Sequence, residues 1–151
     1  MDNKAENALS RIRTLLATES LCVLSTQKNG QPYASLVAFT VTHDLMRMIF
    51  LTPKTTRKYD NLTTSPRVAI LVNNSRNQAT DIYNAISLTA IGKAITVEGD
   101  KNKELLNLYL KRHPHLNDFA KAPTTALVSV AVDRYFMVSR FQNVVEIRMD
   151  P

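Results

Sequence analysis

The sequence predicts a mainly β chain with helices (α+β), in which six or so antiparallel strands close into a barrel and helices pack at its ends and edges. Three observations predict it. Two apolar runs flank Asn29-Gly30, a dipeptide that favours the two-residue turn of an antiparallel hairpin. Further runs of strand length follow, "RMIFLT", "RVAILV", "ISLTAIGKAITVE" and the stretch from Thr124 to Met149, separated by turn or helix signals. An antiparallel sheet of that size has two unpaired edges unless it closes, and closure removes them.

The chain opens with a helix, because Ala5, Ala8, Leu9, Ile12, Leu15 and Leu16 recur at i, i+3, i+4 and i+7 while Arg11 and Arg13 fall off that stripe. "LCVLSTQKNGQPYASLVAFTVT" supplies the hairpin, and a turn around His43-Asp44 leads into the third strand. A short helix to about Leu62 follows, then Ser65-Pro66 and the fourth strand. Residues 73 to 83 are polar and aperiodic, the pattern of a flexible loop. From Ile86 to Glu98 a long strand places Ile86, Leu88, Ala90 and Ala94 on one face and Thr89, Ile91, Ile95 and Val97 on the other. Gly92 interrupts it, as a bulge or the close approach of another backbone or a ligand requires. Asp100 is expected to cap a helix bearing Leu105, Leu108 and Tyr109, and Pro114 ends it. "HLNDFAKAP" makes a short turn or helical piece, and the final strands are expected to break near Asp133 and again near Gln142-Asn143.

The 151 residues suit one domain, 1–151, with a core large enough to need neither metals nor disulfides. The single cysteine, Cys22, lies in an apolar run and reads as a buried small hydrophobe. The amino terminus lacks a hydrophobic signal core and no segment approaches a membrane span, so a cytoplasmic protein with no membrane partner is expected. The net charge of +6 is dispersed rather than gathered into a basic stripe, and no nucleic-acid partner is expected from it. Dinucleotide, P-loop and paired-cysteine motifs are absent.

One stretch, "FLTPKTTRKYDNL", does not fit the ordinary pattern of a strand followed by a helix. Helix starts favour a hydroxyl or Asx cap and acidic groups in the first turn, because the free N–H groups there form the positive end of the backbone dipole. Thr55 or Thr56 meets the first preference, whereas Arg57 and Lys58 oppose the second. A bound anion resolves the conflict, since a phosphate is held by hydroxyls, open N–H groups and cations together. The plain alternative is a capped helix whose two cations face solvent.

"NGQPYASLVAF", "IFLTPKTTRKYDNLTTSPRVAILV" and "LTAIGKAITVE", in that order and spacing, resemble the FMN-binding split-barrel proteins of the pyridoxamine 5'-phosphate oxidase superfamily. The resemblance covers roughly residues 3 to 100; the remainder follows by the order of strands and helices. It implies a split barrel, FMN as cofactor, and a phosphate held by Thr56, Arg57 and Lys58, which match the family's hydroxyl-Arg-Lys triplet. It further implies that Ser35, Leu36, Val37 and Ala38 lie along the flavin ring and that Leu51 and Thr52 finish that wall. A homodimer with the flavin at the subunit interface is implied, as is a flavin-dependent oxidoreductase acting on a small-molecule substrate or electron donor. The chain departs from the oxidase proper, having Ser35 and Thr40 where that enzyme carries Arg and Lys, and lacking its carboxy-terminal Arg motif and closing Leu-x-Pro. Two other readings stand beside this one. Some relatives of the barrel bind or degrade haem, and His113 and His115 in "RHPHL" are the candidate imidazoles. A non-catalytic flavin carrier or sensor would need the cofactor site alone.

Overall fold

The computed structural model describes residues 3–98, 100–140 and 142–149. Helix α1 (Asn3–Thr18) leads into strands β1 (Leu21–Lys28), β2 (Gln31–Val41) and β3 (Arg47–Pro53), then helix α2 (Arg57–Thr64) and strand β4 (Arg67–Asn73). A one-turn helix α3 (Asp81–Asn84), strand β5 (Ser87–Thr96), helix α4 (Asp100–Arg112) and, after a 3-10 turn at Pro114–Leu116, helix α5 (Asn117–Lys121) follow. The long strand β6 (Thr125–Ser139) and strand β7 (Asn143–Arg148) end the described chain. Asn29 and Gly30 both take positive φ (55° and 79°), which matches the right-handed twist of the β1–β2 hairpin. The stretch expected to be a loop holds α3, whose Asp81 carboxylate accepts the backbone N–H groups of Arg76 and Gln78.

All pairings are antiparallel in the order β3-β2-β1-β4-β5-β6-β7, and a further β3–β6 pairing closes the first six strands into a barrel, with β7 added outside. The expected break at Asp133 is instead a bulge within a continuous strand. Against β5, Ile91 pairs with Arg134 and Gly92 with Val132, so Asp133 is the extra residue, and its carbonyl accepts the N–H of Met149. On its other edge β6 pairs with β3 up to Ala131 and with β7 from Arg134 onward. The bulge is where the barrel splits. Gly92 is required beside it, because a Cβ there would lie 2.0 Å from the Ala131 carbonyl oxygen.

Alternation fills the interior: Cys22 and Leu24 from β1, Val37 and Phe39 from β2, Met48 and Phe50 from β3, and Leu88, Ala90 and Ala94 from β5. Burial pushes the Cys22 thiol up to about 12, as expected of an inert core cysteine. The apolar stripe of α1, Ala8, Ile12, Leu15 and Leu16, is buried as its spacing predicts. A second cluster forms outside the barrel, where α4 covers Ile49, Leu51 and Leu127 with Tyr109. The α4 segment is pinned to β2 by polar bonds: the Tyr109 hydroxyl donates to the Ala38 carbonyl at 3.1 Å, and His113 Nε2 donates to the Phe39 carbonyl at 2.7 Å. Among the described residues no helix is long and apolar enough to cross a membrane.

Candidate functional site

Strand β3 ends in Thr52-Pro53, and the chain turns through residues 54–56 into α2. Of the two threonines that could cap this helix, Thr56 does so, with an extended backbone (φ −82°, ψ 156°) and its hydroxyl accepting the Tyr59 N–H at 3.3 Å. The same hydroxyl lies 2.9 Å from the Pro53 carbonyl and 2.9 Å from the Thr52 hydroxyl. The Thr52 hydroxyl is also 3.2 Å from the Pro53 carbonyl, so either Thr56 donates to Pro53 and Thr52 to Thr56, or Thr56 donates to Thr52 and Thr52 to Pro53. In both assignments the Thr56 hydrogen is used within the protein while its oxygen accepts from Tyr59. The Thr56 carbonyl accepts the Asp60 N–H, which leaves the N–H groups of Arg57 and Lys58 as first-turn donors with no intrahelical acceptor.

The turn and the first turn of the helix border a cleft of about 560 Å³. One wall is the loop and helix side, with Thr55, Thr56, Arg57, Asp60 and Asn61. The other wall is the tip of the β1–β2 hairpin, with Lys28, Asn29, Gln31, Pro32 and Tyr33. Three contacts fix one wall against the other. Asn61 donates to the buried Thr26 hydroxyl at 3.1 Å, Lys28 Nζ meets the Asp60 carboxylate at 2.7 Å, and the Arg57 guanidinium stands 5.9 Å from the centre of the Tyr33 ring. Lys28, Arg57 and Thr55 line a cavity with a single carboxylate, Asp60, beside a helix start that has two open N–H groups, an arrangement suited to an anion.

The other expected residues are divided between several surroundings. Lys58 follows Arg57 on the helix, is half-buried and is not among the residues lining the cleft. Thr52 is fully buried and its hydroxyl is committed to Thr56, so it orients the cap. Leu51 points the other way, into the cluster under α4. Along β2, Val37 is buried in the core while Leu36 and Ala38 lie on the opposite, outer face, Leu36 with 64% of its surface exposed. Ser35 shares the face of Tyr33, two residues further along, and its hydroxyl is buried with no hydrogen-bond partner. An orphaned buried hydroxyl costs about 1–3 kcal/mol, which a ligand would recover.

The hairpin wall was not legible in advance. Lys28 and Tyr33 sit on either side of a tight turn, and nothing in their spacing says which helix faces it. Of the candidate imidazoles, His115 is exposed, whereas His113 is buried with its ring 4.8 Å from that of Tyr109. Its Nε2 carries the proton given to the Phe39 carbonyl, which leaves Nδ1 as the acceptor nitrogen of the ring. Among the described residues, no group of three or more His, Cys, Asp or Glu side chains is placed to hold a metal ion.

A search of curated protein sequences found no match. Solved structures match closely in fold. A haem-binding protein of Mycobacterium smegmatis is 18% identical with a TM-score of 0.80, the match covering 90% of this chain and 55% of that one, so the chain spans little more than half its length. The haem storage protein HutZ of Vibrio cholerae is 18% identical with a TM-score of 0.70 over 87% of this chain and 93% of its own. A FAD-binding protein of Mesorhizobium loti is 12% identical with a TM-score of 0.69, over 85% and 91% respectively. At these identities the likeness establishes the barrel and its connections. The sequence itself carries the closer relation: the pyridoxamine 5'-phosphate oxidase model matches residues 9–139, and the chain belongs to that family.

Proposed function

We propose that the chain binds FMN and serves as a flavin-dependent oxidoreductase. The observation that carries this reading is the start of α2, where Arg57, in a first turn with two open N–H groups, lines a cleft at the end of β3. Arg57, Lys58 and those N–H groups hold the phosphate, and Thr52 and Thr56 act beneath them by fixing the turn. The Ser35 hydroxyl is the polar group left open for the remainder of the flavin. When bound, the flavin supplies hydride or two-electron chemistry to a small-molecule donor or substrate. The protein binds and orients it.

The same reading includes a homodimer. On the outer face of the sheet, Leu36 of β2 lies opposite Val23 of β1, and Val23 opposite Leu71 of β4, so Leu36 and Leu71 belong to one exposed apolar row, with Leu21 nearby. A second copy covers that row, and the flavin then lies in a groove between subunits. Some structural relatives are named for haem, and their fold is shared. In this chain neither candidate imidazole lines the cleft beside α2, whose cations and hydroxyl suit a phosphate, which favours flavin. The absorption spectrum of the purified protein, followed by titration with FMN, tests the proposal. Flavin bands or saturable FMN binding support it; a Soret band, or a folded protein that takes up no flavin, overturns it.

A further inference from the structure

We infer that Lys28 is a reserve cation of the phosphate site, held by Asp60 until a phosphorylated ligand arrives, and that this exchange sharpens the preference for phosphorylated over unphosphorylated flavin. The inference rests on the phosphate reading above. Lys28 ends β1 and Asp60 stands one turn into α2, so their 2.7 Å ion pair crosses the cleft from the hairpin to the helix. Asp60 and Arg57 are i, i+3 neighbours on the same helix face, roughly 5–6 Å apart at Cβ. The lysine head is therefore within a stem rotation of the place where Arg57 and the open N–H groups converge.

Both partners of the pair are substantially exposed, Lys28 at 41% and Asp60 at 59% of their side-chain surface. A pair so wet contributes little to the fold and is readily exchanged. A phosphate monoester carries between about 1.5 and 2 negative charges near neutral pH and three acceptor oxygens, against one charge and two oxygens on Asp60. The ammonium moves towards the greater charge. Asp60 serves the empty site in two ways: it neutralises Lys28, and as an acidic group in the first turn it complements the helix dipole that no ligand yet complements. A neutral ligand such as riboflavin offers Lys28 nothing to exchange for.

The test is a cycle of wild type, Lys28→Met, Asp60→Asn and the double variant, each titrated with FMN and with riboflavin, plus Lys28→Arg. Wild type should prefer FMN. Lys28→Met should lower FMN affinity by about fivefold and leave riboflavin affinity within about twofold, whereas Lys28→Arg should retain most of it. Asp60→Asn should raise FMN affinity by about threefold by releasing the lysine, a gain that disappears in the Lys28→Met background. Two outcomes overturn the inference while leaving the phosphate reading intact: an equal Asp60→Asn gain in both backgrounds, which makes Asp60 a direct repellent only, or parallel losses in both single variants for both flavins, which makes the pair a structural brace. A wild type that binds both flavins equally removes the phosphate reading first.

Discussion

Replacing Arg57 and Lys58 together with alanine tests whether the start of α2 holds a phosphate. A hydrogen bond to a charged group contributes about 1.5–3 kcal/mol. Arg57 is exposed and its guanidinium rests against Tyr33, so the lower figure applies to each residue, giving roughly 3 kcal/mol for the pair. That corresponds to more than about a hundredfold in the dissociation constant for FMN. The backbone N–H groups survive in the variant and leave residual binding. Riboflavin lacks the phosphate and should change by less than about threefold. The fold should not suffer: alanine is the better helix former, and removing two cations relieves repulsion at the positive end of the helix. Fluorescence titration at 0.15 M salt with both flavins, alongside a thermal melt, separates these effects. Equal losses for FMN and riboflavin, with an unchanged melt, would refute the assignment of the phosphate to this turn.

Three other outcomes follow from particular contacts. Gly92→Ala drives a methyl group into the Ala131 carbonyl and should lower unfolding stability by about 3 kcal/mol in a urea titration; wild-type stability would mean the two strands are not so closely apposed. The buried Cys22 thiol stays protonated to about 12 while the unfolded thiol ionises from 9.0, so its contribution is whole below pH 9 and falls as pH rises, by about 0.8 kcal/mol at pH 9.5, and Cys22→Ala should remove that slope. On the proposed homodimer, Leu36→Glu places a charge in the covered apolar row and should give a monomer in light scattering where the wild type is a dimer, with weaker FMN binding; a monomeric wild type or an unchanged dimer would overturn this contact.

Local chemistry was readable where one element decides its own conformation. The Asn-Gly hairpin, the stripe of α1 and the alternation of β5 each depend on residues a few positions apart, and each is present. At Asp133 the sequence showed a polar interruption in a strand but not its consequence. Whether such a residue ends the strand or bulges out depends on the partner strand, and Gly92 on β5 supplies the room that makes the bulge possible. The site divides along the same line. Thr56 and Arg57 could be read from the conflict between cap and charge, which is local. The expected wall of four consecutive residues on β2 could not form one surface, since successive side chains point to opposite faces. Ser35 and Val37 accordingly face inward and Leu36 outward.

Strand order explains why the anion-suited end of α2 meets the hairpin rather than open solvent. β3 and β4 are consecutive in the chain but lie on either side of β2 and β1, so their connection must cross two strands at the barrel end. The three interstrand spacings from β3 to β4 amount to about 14 Å, and the eight residues of α2 span about 12 Å at 1.5 Å each, so the helix covers most of the crossing and the turns at its two ends complete it. Because β2 runs antiparallel to both neighbours, the end of β3 and the start of β4 share the barrel end with the β1–β2 turn. A helix laid across that end has its side chains under the overhanging hairpin, where Asn61 finds Thr26 and Asp60 finds Lys28. Its N-terminus is left facing the cleft because the cap is fixed from behind by Thr52, a residue of the strand it has just left. The position of this positive helix end is thus a consequence of strand order: the connection from β3 to β4 carries it into the space beneath the hairpin.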